Sequence, residues 1–361
     1  MWKTTEVTRR LGLTVPIVQG PFGGGISSVD LVVAVGESGG LGSFGVHHLD
    51  GKGIREVAGA IRARSARPFA LNLWVPLGDS DDPRFDEDAF ARNAALLQPY
   101  FNELGLEPPR RPQRFAPPYA EQVEAVLAVR PAVLSFVFGI PAPEILQRCR
   151  ELDIVTVGAA TTVAEAVALE QAGVDMVVAS GFEAGGHRVS FLQAPDAALS
   201  GTFALVPQVA DAVRIPVIAA GGIGDGRGIA AALALGAQAV QIGTAFLACR
   251  ESNANPAHRE MLFSERARET ALTRVFSGRL ARGIRNRLMD ELEPHSAQLP
   301  SYPVQNWFTG IMKKAAGAQQ RADLMSLWCG QAAPLLTQRD ARSLMATLVE
   351  ETSRVSRQLG G

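Results

Sequence analysis

The chain has 361 residues, 47% hydrophobic and 20% charged, so it can bury a large core and is not disordered as a whole. Its 35 Lys and Arg against 36 Asp and Glu give a net charge of -1, which argues against a general nucleic-acid or anionic-membrane binder. The cysteines are far apart and match neither a disulfide framework nor a zinc site, which predicts a reducing cytoplasmic location; they are Cys149, Cys249 and Cys329. No secretion signal and no apolar run of about 18 residues is found, so secretion and membrane spanning are not expected.

The first 250 residues alternate short apolar runs with alanine-rich stretches. The runs predict strands over residues 15–20, 41–45, 69–74, 132–138, 154–160, 175–180, 216–222 and 239–246. They are continuously apolar, as strands buried on both faces are. The stretches between them predict helices over residues 28–37, 53–64, 121–129, 143–152, 163–171, 203–213 and 227–235.

Strict alternation of strand and helix predicts a parallel sheet. Eight such units in about 250 residues fit a (β/α)8 TIM barrel, which is an α/β fold. A doubly wound open sheet is the alternative. The glycine-rich turns favour the barrel, because they follow the first, sixth, seventh and eighth predicted strands rather than one switch point.

Two segments interrupt the pattern. Residues 77–119 are charged and rich in proline, which predicts an insertion after the third strand with a short helix near 88–104. After residue 250 the strand pattern disappears, so residues 251–361 are predicted to form a helical appendage over the mouth of a barrel made by residues 1–250. Tyr302 and Trp328 are expected to line its pocket. A run of arginines in the appendage is interpreted as a solvated or ion-paired face; it comprises Arg279, Arg282, Arg285 and Arg287.

Glycine turns end the last two predicted strands of the barrel. Gly221 and Gly222 follow the seventh strand, and Gly243 and Thr244 follow the eighth. In barrels these two loops commonly form a phosphate site, and glycine lets phosphate approach backbone N–H groups without a Cβ in the way. The pattern therefore predicts a phosphate-bearing ligand, with ordinary strand–helix turns as the alternative.

The sixth predicted strand is followed by a histidine. His187 comes after Gly185 and Gly186 and near the acid Glu183, on the face where barrel active sites lie. An imidazole there titrates near neutral pH, which makes His187 the candidate general base. The other histidines are weaker candidates: His47 and His48 could line the pocket, whereas His258 and His295 are expected to be solvated.

Two further features suggest a flat ligand. Residues 19–28, QGPFGGGISS, carry a cluster of glycines that would let the chain lie against a planar ring. Asn72 is a polar residue inside an otherwise apolar strand, and a buried amide needs hydrogen-bond partners. A heterocycle edge or a backbone group could supply them.

The ordered set of motifs resembles the nitronate monooxygenase family. They are QGPFGGG, GGLGSFG, NLWVP, SFVFGIP, GFEAGGHR, PVIAAGGI, QIGTAF and FSGRLARG, with YPVQN and WCGQ in the appendage, and the resemblance runs from about residue 11 to the end. Single motifs are shared with the flavin-dependent enoyl-acyl carrier protein reductases.

The resemblance implies an FMN-dependent TIM barrel without a metal, in which His187 is the catalytic base. It also implies the cofactor contacts, which are Gly20, Pro21, Phe22, Asn72, Ser180, Gly185, Gly222, Gln241, Ile242, Gly243 and Thr244. Two positions depart from the family pattern. Ser180 stands where glutamine is common, which implies that one flavin contact is shorter or lost. Val189 stands where glycine is usual, which is expected to reshape the mouth of the substrate site.

The implied reaction is oxidative denitrification, in which an alkyl nitronate or nitroalkane and O2 give a carbonyl compound and nitrite. No nucleic-acid or membrane partner is implied, and homo-oligomerisation is left open. One alternative is an FMN-dependent NAD(P)H reductase of enoyl thioesters or quinones. Another is a flavin-binding protein without turnover, against which the intact His187 loop argues.

Overall fold

The computed structural model describes residues 2–77 and 87–360, and its centre is a ring of eight parallel strands. The ring strands are β1 (Ile17–Gln19), β2 (Gly42–Gly45), β3 (Phe69–Trp74), β4 (Val133–Val137), β5 (Val155–Ala160), β6 (Met176–Ser180), β8 (Val217–Ala220) and β9 (Ala239–Ile242). Their order is β1-β9-β8-β6-β5-β4-β3-β2, and a bridge between Val18 and Leu41 joins the two ends. Each ring strand falls within a predicted run, so the predicted (β/α)8 barrel is confirmed.

In the barrel, each ring strand is followed by a helix, as the predicted alternation of strand and helix requires. They are α1 (Glu6–Leu11), α2 (Val29–Glu37), α3 (Gly51–Arg62), α4 (Glu87–Glu103), α5 (Tyr119–Val129), α6 (Pro143–Glu151), α7 (Val163–Gln171), α8 (Thr202–Ala212), α9 (Gly226–Ala234), α10 (Thr244–Leu247), α11 (Pro256–Leu262), α12 (Arg287–Leu292), α13 (Val304–Ala318) and α14 (Ala341–Gly360). Within the described ranges, no helix is both long and apolar enough to cross a lipid bilayer.

The barrel is filled by alternate side chains of its strands. Met176, Val178 and Ile218 pack together inside, while the residues between them pack outward against the helices. Val7 and Leu11 of α1 join the inner cluster, so this helix closes the amino-terminal end. The opposite end of the barrel is therefore the open one.

The C-terminal region contains strands that the sequence analysis did not predict. β10 (Thr270–Thr273) and β11 (Ala281–Ile284) pair antiparallel, and β11 also pairs with β7 (Gly186–His187) from the loop after β6. These strands are short and their partners are distant in sequence, so they leave little periodicity to detect. The pairing attaches the region directly to the loop that carries His187.

The last helix belongs to the barrel layer, unlike its predicted place in the appendage. Leu344, Met345 and Leu348 of α14 are buried in the barrel's strand–helix core, and the helix packs against α9 and α2. It takes the place of an eighth barrel helix because α10 is a single short turn. The division of the chain near residue 250 stays a prediction.

The insertion packs against the C-terminal region. Phe90 of α4 contacts Phe308 of α13 with ring centroids 5.0 Å apart, and Leu97 and Phe101 are buried in the same apolar cluster. The predicted helix near 88–104 is thus present. The predicted insertion also includes residues 78–86, which lie outside the described residues.

Candidate active site

A cavity of about 600 Å³ opens at the carboxyl ends of the barrel strands. It brings together nearly all of the predicted site residues: Gly20, Pro21, Phe22, Asn72, Ser180, Gly185, His187, Gly222, Gln241, Gly243 and Thr244. Tyr302 and Trp328 of the C-terminal region also line it. Parallel strands end at one face of a barrel, so residues from distant turns converge there.

Ile242 is the exception among the predicted cofactor residues. Its side chain is buried in the strand–helix core, and its carbonyl accepts a hydrogen bond of 2.8 Å from the Gly20 N–H. Successive side chains of a strand point to opposite faces, so Gln241 faces the cavity and Ile242 faces away. The structure thus places the Ile242 side chain behind the cavity wall.

The turns after β8 and β9 form a glycine cradle, made of Gly222, Gly243 and Thr244. Gly222 has φ +70°, a left-handed conformation that favours glycine, and a methyl group added to Gly243 would meet no protein atom within 4 Å. In the described part of the chain, the N–H groups of these three residues have no hydrogen-bond acceptor. Converging N–H groups without acceptors are suited to an anionic oxygen group.

Glu183 lies beside the glycine cradle but has its own structural role. Its carboxylate accepts hydrogen bonds from the Thr202 N–H, at 3.0 and 2.9 Å, and from Thr202 Oγ1 at 2.9 Å. The negative charge is therefore held at the N-terminus of α8, where the helix dipole stabilises it.

Polar side chains project into the cavity from the barrel interior. The Asn72 side-chain amide donates to Ser135 Oγ at 3.0 Å, and within the described residues its Oδ1 accepts no hydrogen bond. Gln241 lines the cavity and makes no side-chain hydrogen bond in the same part of the chain. These amides could bind the polar edge of a heterocycle.

The turn after β1 is fixed by a serine. Ser27 Oγ donates to the Phe22 carbonyl at 2.8 Å and accepts from the N–H groups of Phe22 and Gly45, each at 3.1 Å. A side chain at Gly45 would also collide with the Phe22 carbonyl, only 2.3 Å from an added Cβ. Phe22 and its neighbours thus form a fixed edge of the cavity.

His187 lies in an aromatic wall, made of Trp74, Phe138, His187, Tyr302 and Trp328. Its ring centroid is 4.9 Å from that of Trp74 and 5.0 Å from that of Trp328. Its Nε2 lies 2.7 Å from Ser277 Oγ, and its Nδ1 has no hydrogen-bond partner within the described residues. The Nδ1 atom is therefore the ring nitrogen left for a ligand.

The environment keeps His187 uncharged. Burial, with smaller contributions from the positive charges of Arg279 and Lys313, lowers the pKa of His187 to about 3. The imidazole is then neutral at pH 7 and can accept a proton or a hydrogen bond.

Buried charges hold the loop that carries His187. The Arg188 guanidinium donates to the carbonyls of Ser180, Gly181 and Ala198 at distances from 2.7 to 3.2 Å. On the far side of the loop, the Glu165 carboxylate accepts from the N–H groups of residues 161, 191 and 192. These contacts fix the loop at both of its ends.

Several cavity residues were missed or misjudged from the sequence. His47 was suggested to line the pocket, and it does line the cavity, where its ring stacks on Trp74 with ring centroids 3.7 Å apart. His258, expected to be solvated, is buried and lines the cavity, with Nε2 2.9 Å from the Trp328 carbonyl. Trp74 and Lys313 were not predicted to line the cavity. Trp74 could have been found from its position on β3, two residues after Asn72, whereas nothing in the local sequence pointed to Lys313.

The predicted arginine face is divided between surface and interior. Arg285 and Arg287 form exposed ion pairs with Asp290 and Glu103, as the interpretation requires. Arg282 is instead buried and donates to the Phe182 carbonyl, at 3.1 Å. Arg279 lies over the Phe138 ring at 4.1 Å, near the cavity.

Comparisons with known proteins show which family the whole chain resembles. The family model described as nitronate monooxygenase matches residues 5–351. A probable nitronate monooxygenase of Staphylococcus aureus strain Newman is 36% identical over 356 residues, covering 98% of this chain and 99% of that protein.

Two solved structures are similar to this chain over nearly its whole length. A nitroalkane oxidase of Streptomyces ansochromogenes is 35% identical with a TM-score of 0.87, covering 98% of this chain and 99% of that one. FabK from Thermotoga maritima is 27% identical with a TM-score of 0.76, and the alignment covers 99% of both chains. The chain therefore belongs to the nitronate monooxygenase family and is an oxidoreductase.

Proposed function

We propose that the protein binds FMN and catalyses the oxidative denitrification of alkyl nitronates with O2, with a carbonyl compound and nitrite as products. The observation that carries this proposal is the position of His187. Its neutral imidazole, with Nδ1 unpartnered among the described residues, faces a cavity that also contains the glycine cradle. The names of the similar proteins, a probable nitronate monooxygenase and a nitroalkane oxidase, support the substrate class.

The residues present fit FMN. Gly222, Gly243 and Thr244 would hold its phosphate through their N–H groups, because no Cβ occupies the space before them at the two glycines. The amides of Asn72 and Gln241 would bind the polar edge of the isoalloxazine. When bound, FMN would supply the electron acceptor for the nitronate, with O2 as the final oxidant.

His187 would manage the proton. For Nδ1 to accept a proton, Nε2 must carry hydrogen and donate to Ser277, whose hydroxyl can in turn donate to the Arg279 carbonyl at 3.4 Å. A group with a pKa of about 3 is a weak base at pH 7, and general bases work best near the operating pH. The site is thus better matched to nitronates, which have already lost the α-proton, than to neutral nitroalkanes.

The protein should purify yellow and release FMN on heating. Mixing it with ethylnitronate in air should consume O2 and release nitrite, measured with an oxygen electrode and a colorimetric nitrite assay. Absence of FMN, or FMN-loaded protein that releases no nitrite from any nitronate, would refute the proposal.

An NAD(P)H reductase is the second candidate because of an adjoining cavity. This cavity, of about 610 Å³, shares His47, Trp74 and Tyr302 with the first. It is also lined by Arg111, Arg114 and Arg279, whose charges suit a phosphate-bearing co-substrate. Anaerobic NADPH should bleach the flavin within seconds if this candidate is correct, and should leave it oxidised if the protein is a nitronate oxidase.

A further inference from the structure

α13 lies beside the cavity and presents a lysine to it. The ammonium of Lys313 is 6.0 Å from the Trp328 ring centroid, and the same ring lies 5.0 Å from His187. Lys313 and Trp328 both line the cavity. Throughout residues 2–77 and 87–360, the Lys313 ammonium makes no hydrogen bond and no ion pair.

The cavity offers this lysine no counter-charge. Glu183 is the only carboxylate among the described residues that line the cavity, and its oxygens are bound to Thr202. Removing an ammonium from water without a partner is costly, and here burial lowers the pKa of Lys313 to about 8. An anionic ligand would supply the missing partner.

We propose that Lys313 is the anion-binding residue of the substrate site and holds the nitronate oxygens. His187 then manages the proton, while Lys313 neutralises the charge of the nitronate across Trp328. The identity of the anion rests on the proposed function; the anion-binding role of Lys313 does not. The glycine cradle has N–H donors of its own, so the phosphate of FMN does not require this lysine.

The charged and titratable groups around Lys313 leave its own titration visible. His187 on β7 and His258 on α11 have pKa values lowered by burial to about 3 and about 4, so both are neutral above pH 6. The positive charge of Arg279 also acts on His187 and lowers its pKa further. Lys314 is exposed on the same helix.

The test measures binding of nitrite, the proposed product anion, to the purified holoenzyme by calorimetry. Lys313→Met keeps the length of the side chain and removes its charge. Lys313→Arg keeps the charge at all pH values used. The control is Lys52→Met, which removes an exposed lysine of α3 paired with Glu56.

At pH 7, Lys313→Met should weaken nitrite binding about 10- to 100-fold, as expected for loss of a charged hydrogen bond. Lys313→Arg should restore most of the affinity, and Lys52→Met should match the wild type. Between pH 7 and 9 the wild-type affinity should fall about 10-fold, because the ammonium loses its proton near pH 8. The arginine variant should show no such fall.

Unchanged nitrite binding in Lys313→Met would overturn the proposal, as would equal pH dependence in all variants. Loss of FMN from Lys313→Met with nitrite binding retained would also overturn it, because the lysine would then serve the cofactor. If the wild type oxidises no nitronate but Lys313→Met still loses nitrite affinity, the proposed function fails and the anion-binding role of Lys313 stands.

Discussion

The glycine cradle and the aromatic wall face the same cavity but are constructed in different ways. The cradle uses backbone N–H groups at the ends of β8 and β9, and two of its three residues, Gly222 and Gly243, have no side chain. The aromatic wall uses large side chains from β3, from the turn after β4, from β7 and from the C-terminal region. It includes the titratable His187, and Lys313 lies beside its Trp328 ring.

The difference between backbone groups in the cradle and side chains in the aromatic wall suits the two regions to different ligands. A wall of backbone groups binds a ligand of fixed shape and charge, because its geometry is set by the barrel itself. A wall of side chains can be altered one residue at a time, and its low polarity shifts the pKa values of the groups inside it. We therefore expect changes in the cradle to affect cofactor retention, and changes in the aromatic wall to affect substrate.

The largest effect is expected for Gly222→Val. The branched side chain would occupy the space before the N–H groups, so the variant should purify without flavin. Flavin content is measured as the ratio of flavin absorbance, at about 450 nm, to protein absorbance, at about 280 nm. Gly12→Val is a matched control, because Gly12 has φ +65° and open space around an added Cβ. Both variants place a branched residue at a positive φ, so the conformational cost is similar in the two. Equal flavin content in the two variants would therefore contradict the assignment of Gly222 to the phosphate site.

His187→Asn should have the next largest effect, and on substrate alone. Loss of a general base typically lowers the rate by ~10²–10⁴-fold, and the low pKa of His187, about 3, places the expected loss at the lower end of that range. Only nitroethane still carries a proton to be removed. Turnover of nitroethane should thus fall far more than turnover of ethylnitronate, at full flavin content.

Steady-state kinetics on both substrates would decide this assignment. His295→Asn, which changes a histidine outside the cavity lining, should leave both rates unchanged. Equal losses on the two substrates in His187→Asn would make His187 a substrate-binding residue instead of a base.

Trp328→Leu should have the smallest of these effects. It removes the ring that contacts both His187 and Lys313, and such contacts contribute about 0.5–1.5 kcal/mol each. The KM for ethylnitronate should rise about 3- to 10-fold while flavin content stays constant. Loss of flavin in this variant would show that the two walls do not divide their tasks as described.

Much of the barrel could be predicted from local pattern alone. Its strands are continuous apolar runs separated by helices, and that pattern depends on burial on both faces, which acts residue by residue. The positions of Gly222 and His187 beside the cavity were predictable for a related reason: they lie in the segments that follow β8 and β6, and all parallel strands end at one face of a barrel. The (β/α)8 fold could therefore be predicted from the chain's own periodicity, and the positions of the cradle residues from the glycine turns at the strand ends.

The tertiary structure alone decided the features that depend on contacts distant in sequence. β11 pairs with β7 across about 95 residues, and α14 returns to the barrel after the whole C-terminal region, so neither leaves a local signal. Lys313 is an ordinary residue of a helix in the sequence. Its placement beside Trp328 is decided by the fold, and so is the lack of a free carboxylate among the described cavity residues, where Glu183 is bound to Thr202. Burial and pairing are properties of the folded chain, so the sequence alone does not reveal them.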